Sequence, residues 1–249
     1  MRTSSATASP RQDPSASTLP LRERALLLGA LAAVALLAWA YLAHHASMPM
    51  RGAMLALMWV VMMLAMMLPS VAPAVLVHAA VSRRLAPQRA AARNAAFIAG
   101  YAAAWSAFAL GAAALQVALG HLALLSEDMR AASPWLGAAL LAAAGAWQLT
   151  PAKDACLTPC RMPLQFIAQH WREGAAGALR MGAHHGLYCI GCCGALMALL
   201  FVGGVMNLLW VALIAAFVLL EKLTFPGTRA GRWLSGAGLI AAAVLLLLA

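Results

Sequence analysis

The strongest constraint on this chain is the length of its uninterrupted apolar runs. Ala25–Ala43, Met54–Ala80, Ala96–Leu119, Trp135–Leu149, Gly182–Val205, Asn207–Leu220 and Trp233–Ala249 contain no Asp, Glu, Lys or Arg. A bilayer core about 30 Å thick is crossed by roughly 20 helical residues. The seven runs therefore predict about seven membrane spans, with the fourth and sixth the shortest. Apolarity is continuous rather than alternating, which predicts helices and not a β-barrel. The expected fold is an all-α polytopic bundle over residues 25–249. Residues 1–24, with their Ser, Thr, Ala, Pro and Arg, read as a disordered basic cytoplasmic tail. No small-residue cleavage motif follows the first run, so a signal peptide is not expected.

The 249 residues are 64% hydrophobic and 10% charged, against about 25% charged in an average soluble domain. The formal charge of +10 comes from 17 Lys and Arg against 7 Asp and Glu. In a soluble protein that excess points to nucleic acid, so the positions of the charges decide. Arg2, Arg11, Arg22 and Arg24 precede the first run, and Arg83, Arg84, Arg89 and Arg93 follow the second. Lys153, Arg161, Arg172 and Arg180 lie between the fourth and fifth, and Lys222, Arg229 and Arg232 between the sixth and seventh. Only Arg51 and Arg130 fall on the opposite side. Cytoplasmic loops collect Lys and Arg, so the bias predicts a cytoplasmic N-terminus. The charge then becomes an insertion signal, and no nucleic-acid partner is expected.

Chemistry concentrates in two places. All five cysteines lie between Cys156 and Cys193. Cys156 and Cys160 form a C-x-x-x-C in what reads as the loop after the fourth span. Cys189, Cys192 and Cys193 form a C-x-x-C-C in the fifth. At about 100° per helical residue, Cys193 lies roughly 40° to one side of Cys189, and Cys192 and His185 roughly 60° and 40° to the other. Three thiols and one imidazole thus share a stripe, a donor set suited to Cu(I) and, second, to zinc. The expected cytoplasmic placement keeps thiols reduced, so structural disulfides are not expected. The second place is the methionine-rich second run, where Met58, Met62 and Met66 repeat every four residues and Met63 and Met67 broaden the stripe. Thioethers bind Cu(I) without losing a proton. Met48 and Met50 stand just before them, on the outer side.

Polar groups inside a membrane usually have a role. His78 and Gln148 sit near the cytoplasmic ends of their runs. Glu221 and Lys222 close the sixth, either as a pair with one another or as outer support for a site. Pro69 and Pro73 predict a kink or break in the second run.

Several strings carry a family resemblance: Met58–Ser70, Gly100–Trp105, Ala144–Pro163 with its Q-L-T-P-x-K, Met181–Leu208 with its G-L-Y-C-x-G-C-C, and the pair Glu221-Lys222. Over about residues 50–225 the chain resembles the bacterial "predicted metal-binding integral membrane protein" family. That resemblance implies a multi-pass protein of the bacterial inner membrane that binds metal, with copper handling as its associated role. It also implies a bulky aromatic where this chain has Gly194.

The expectation is therefore a non-enzymatic soft-metal protein whose ligands are Cys189, Cys192, Cys193, His185, Cys156 and Cys160, with Met58, Met62, Met66, Met63 and Met67 along the approach. It would transfer, store or deliver Cu(I), with the bilayer and the ion as partners and a membrane complex or metallochaperone as the receiving protein. No catalytic residue is assigned, and no ATP-binding motif is visible. Two other readings stay open on the residues alone. One is a membrane thiol–disulfide oxidoreductase using Cys189 and Cys192. The other is a scaffold subunit whose glycines only bring helices together.

Overall fold

A computed structural model describes residues 19–45, 51–126, 130–223 and 229–248. Apart from one bridge pairing Leu125 with Ala131, the regular structure among the described residues is helical. The expected all-α class is what is observed. Residues 1–18 of the expected tail, together with Met48 and Met50, lie outside the described residues.

Helix α1 spans Leu21–His45 and lies along α2, Ala53–Leu85. A short 3-10 turn at Pro87–Arg89 leads into α3, Ala90–His121, which returns beside α2. At 33 residues α2 is about 50 Å long, more than a bilayer core requires. It continues through Pro69 and Pro73 without interruption, so the expected break does not occur. Each proline still removes one helical N–H and frees the carbonyl four residues earlier.

Helix α4 covers Pro134–Gln148, with the Ser133 side chain accepting the Leu136 N–H at 3.2 Å. The region between the fourth and fifth runs is not the expected loop. It folds as α5, Pro151–Arg161, and α6, Pro163–His170. Thr150 caps α5 by accepting the Lys153 N–H at 3.2 Å, with Pro151 at the first helical position. Cap and proline are both strong start signals. Thr150→Ala is expected to cost about 1 kcal/mol of stability, read as a lower midpoint of thermal unfolding in detergent.

Helix α7, Gly174–Met197, continues through a short α8, Leu200–Gly203. Helix α9 is Leu208–Leu223, and α10, Arg229–Leu248, packs on α4. The closest helix approach joins α3 to α7. Gly100 and Ala104 face Gly182 and Gly186, and a Cβ added at Gly182 would fall on the Phe97 carbonyl oxygen. One added at Gly100 would fall on that of Leu179. Small residues at four-residue spacing permit this contact, so these glycines bring helices of one chain together. Gly145 of α4 and Gly236 of α10 do the same on the far side.

Among the described residues, five segments are long and apolar enough to cross a membrane: Leu21–His45, Ala53–Leu85, Pro87–His121, Gly174–Gly203 and Gly231–Leu248. Helices α4 and α9, the expected fourth and sixth spans, have 15 and 16 residues. They measure about 22–24 Å, short of a 30 Å core. Leu36, Leu37, Leu187, Leu209 and Leu245 are among the apolar side chains left exposed on the outer helix faces. An exposed apolar surface of that extent marks contact with a membrane or with another protein.

Candidate metal centre

The centre forms where α7 meets α5 on one side and α2, α3 and α9 on the other. All five cysteines are free thiols. The Sγ atoms of Cys160, Cys189 and Cys192 lie within 4.8 Å of one another. Cys189 and Cys192 are one helical turn apart on α7 and buried, and Cys160 is brought to them by α5. Sulfurs bound to one ion at about 2.3 Å stand roughly 4 Å apart, so these three can close on a soft metal with small adjustments. Hydrogen bonding to Cys189 and Cys192, and then burial, hold the Cys160 thiol well above the usual cysteine range.

The other expected ligands surround this group. The Cys193 thiol donates to the Cys189 carbonyl oxygen at 2.9 Å and lies 3.9 Å from Met67 Sδ. Cys156 packs at Gly191, where an added Cβ would come 2.6 Å from its Sγ, and burial raises its thiol above the ordinary range. His185 is buried among Phe97, Tyr101 and Phe166, with ring centres 5.0–6.1 Å away. Its Nδ1 has no hydrogen-bond partner among the described residues. Met58, Met62, Met63, Met66 and Met67 are all buried along α2. Of these, Met67 lies against the Cys193 thiol.

Further side chains surround the thiols, and of these Tyr101, Ser70 and Lys153 were not assigned from sequence. Lys222 Nζ donates to Cys189 Sγ at 2.9 Å and to Ser70 Oγ at 2.9 Å. Tyr101 Oη lies 3.1 Å from the same sulfur and donates to the Met67 carbonyl at 3.2 Å. Ser70 donates to that carbonyl at 2.8 Å. Lys222 and Glu221 do not pair with one another. Neighbouring helical residues point about 100° apart, and Glu221 instead accepts from Lys153 Nζ at 2.5 Å. Lys153 is wholly buried. Burial pushes its ammonium below the usual lysine range, while the Glu221 carboxylate pushes it back up. Arg161 donates Nε and Nη2 to the Glu221 backbone oxygen at 3.1 and 2.6 Å. Trp147 Nε1 donates to the Gly191 carbonyl at 3.0 Å, joining α4 to the thiol helix. At Gly194, where the resemblance implies a bulky aromatic, the Phe108 ring closes the space, 3.6 Å from where a Cβ would stand.

Three thiols and a lysine side chain brought together in an apolar helical bundle form a group that could hold a metal ion. A family model described as the copper chaperone PpoB2 matches residues 56–246, and the chain belongs to that family. The metal-binding family resemblance of the sequence is thereby borne out. No curated protein and no solved structure matches the chain.

Proposed function

We propose that this protein is an integral membrane copper handler that passes Cu(I) from thioethers of α2 to the thiols of Cys160, Cys189 and Cys192. The observation that carries this reading is the convergence of those three sulfurs from two helices inside an apolar bundle. The ion is cargo, released to a metallochaperone or to a membrane complex. Copper rather than zinc follows from the family's description and from the methionines. Met54 is half-exposed at the start of α2. From there Met58, Met62 and Met66 follow at steps of about 6 Å along the axis. Met67 and Cys193 then supply the junction with the thiols. His185 and Cys156 flank the sulfur group and serve as secondary ligands.

In this reading α4 and α9 complete a seven-span bundle in the bacterial inner membrane, with the N-terminus and the thiol end on the cytoplasmic side. Thioethers bind without proton release, whereas thiols bind more tightly and release protons. The gradient therefore favours movement toward the cytoplasmic end. No step requires a catalytic residue.

The test is elemental analysis of protein purified under reducing conditions from copper-supplemented cells. The expected result is about one copper per chain, and less than a tenth of that in Cys189→Ser/Cys192→Ser. Unchanged copper in the double variant would refute the assignment. A metal-free protein with a reversible disulfide among these cysteines would favour the oxidoreductase reading.

A further inference from the structure

A second cluster of reactive side chains lies apart from the thiols, where α6 ends and α7 begins. His170, Arg172, Arg180, Met181 and His184 line an open cavity of about 410 Å³. Two are permanently cationic and two are imidazoles, whose ring centres stand 4.9 Å apart, edge to face. Among the described residues, no carboxylate lines the cavity. The acid next in sequence, Glu173, is turned away, accepting from Arg93 Nη2 at 2.9 Å and Trp171 Nε1 at 2.8 Å.

The local backbone holds these groups in place. The Arg172 N–H donates to Sδ of buried Met181 at 3.2 Å. Gly177 allows the Arg172 backbone to pack against α7, since a Cβ there would come 2.8 Å from the Arg172 carbonyl oxygen. His170 Nδ1 donates to the Phe166 carbonyl at 3.0 Å, which leaves Nε2 available to a ligand. Like charges gathered in one cavity repel each other, and an anion offsets that repulsion. The same two guanidinium groups disfavour a second metal ion here. Guanidinium groups match the oxygens of a phosphate in paired hydrogen bonds.

We propose that this cavity binds a phosphate oxyanion, presented by the headgroup of an acidic phospholipid. The source follows from place: α7 is one of the helices long enough to span a membrane, and basic pockets at the ends of such helices meet anionic headgroups. The inference rests on the membrane placement of the proposed function and not on its metal chemistry.

The test is native mass spectrometry of the detergent-purified full chain with short-chain phosphatidylglycerol, short-chain phosphatidylcholine or inorganic phosphate. Wild type is expected to hold phosphatidylglycerol and not phosphatidylcholine. Arg172→Gln/Arg180→Gln is expected to bind it on the order of 30-fold more weakly, with copper content and thermal midpoint unchanged. His184→Gln, a milder variant, is expected to weaken it by a smaller factor. Arginine-dependent binding of inorganic phosphate at equal strength would support the oxyanion site and assign its source to solution. Equal retention of the two lipids, or full retention by the double variant, overturns the proposal. Copper measured in the same preparations separates this result from the metal reading, and extraction from membranes without detergent would count against the membrane placement itself.

Discussion

Gly182→Val is expected to eliminate the folded bundle under conditions where wild type is intact. The position has no space to yield. A Cβ there meets the backbone oxygen of Phe97, and a helical backbone cannot rotate aside as a side chain can. Overpacking a core typically costs about 1–3 kcal/mol and occasionally more. A clash between two backbones belongs at or above the top of that range. The damage would reach the site, because α3 carries Tyr101 and α7 carries Cys189, whose side chains meet at 3.1 Å. Gly194→Ala is the matched control. Its Cβ would make ordinary contacts, 3.4 Å from Ile190 and 3.6 Å from Phe108. Alanine is also a better helix former than glycine by roughly 1 kcal/mol, so this variant is expected to be neutral or stabilised. Denaturant unfolding in detergent, followed by tryptophan fluorescence, measures both. Equal midpoints for the two variants would refute this account of the α3–α7 interface.

Lys222→Met is expected to retain the fold and to weaken copper retention by about 10–100-fold, the range found when groups supporting a metal ligand are removed. Methionine replaces the aliphatic stem but not the ammonium, so packing survives while Cys189 loses its charged donor. In the proposed function that ammonium would balance the charge of a metal-bound thiolate in an apolar interior, where an unbalanced charge is costly. Lys222→Arg is not expected to rescue. One compact nitrogen serves both Ser70 Oγ and Cys189 Sγ at 2.9 Å, and a planar guanidinium has a different shape and reach. Competition with a chromogenic Cu(I) chelator gives the affinities. Wild-type retention in Lys222→Met would show that the lysine is only a packing element.

The helices were legible because lipid-length apolar runs leave few alternatives. Cys189 and Cys192 were legible as a pair because a helix fixes which residues share a face. Cys160 belongs to the same group for a reason that helix periodicity does not contain: α5 must fold and dock before its sulfur arrives. The T-P and M-P starts of α5 and α6 were present in the sequence as helix signals, yet polarity made the segment read as a loop. His185 shares the stripe but packs among aromatic rings, because the register of α7 against α3 depends on where the glycines interlock. Lys222 reads from sequence either as a partner of Glu221 or as outer support for a site, and its contact with Cys189 fits the second, since consecutive helical residues face different partners. Tyr101 and Ser70 stand out only once α2 and α3 are paired, which local patterning does not set.

Glu221 touches no sulfur, yet α5 is fastened to it twice, by Lys153 through its carboxylate and by Arg161 through its backbone oxygen. Both ends of the helix that carries the third thiol are therefore moored to one residue on another element. This is the geometry of a hatch secured at a single bolt. Because α5 carries one of the three sulfurs, under the proposed function an ion held by all three would leave only as the hatch loosens, and Glu221 would set the rate of release.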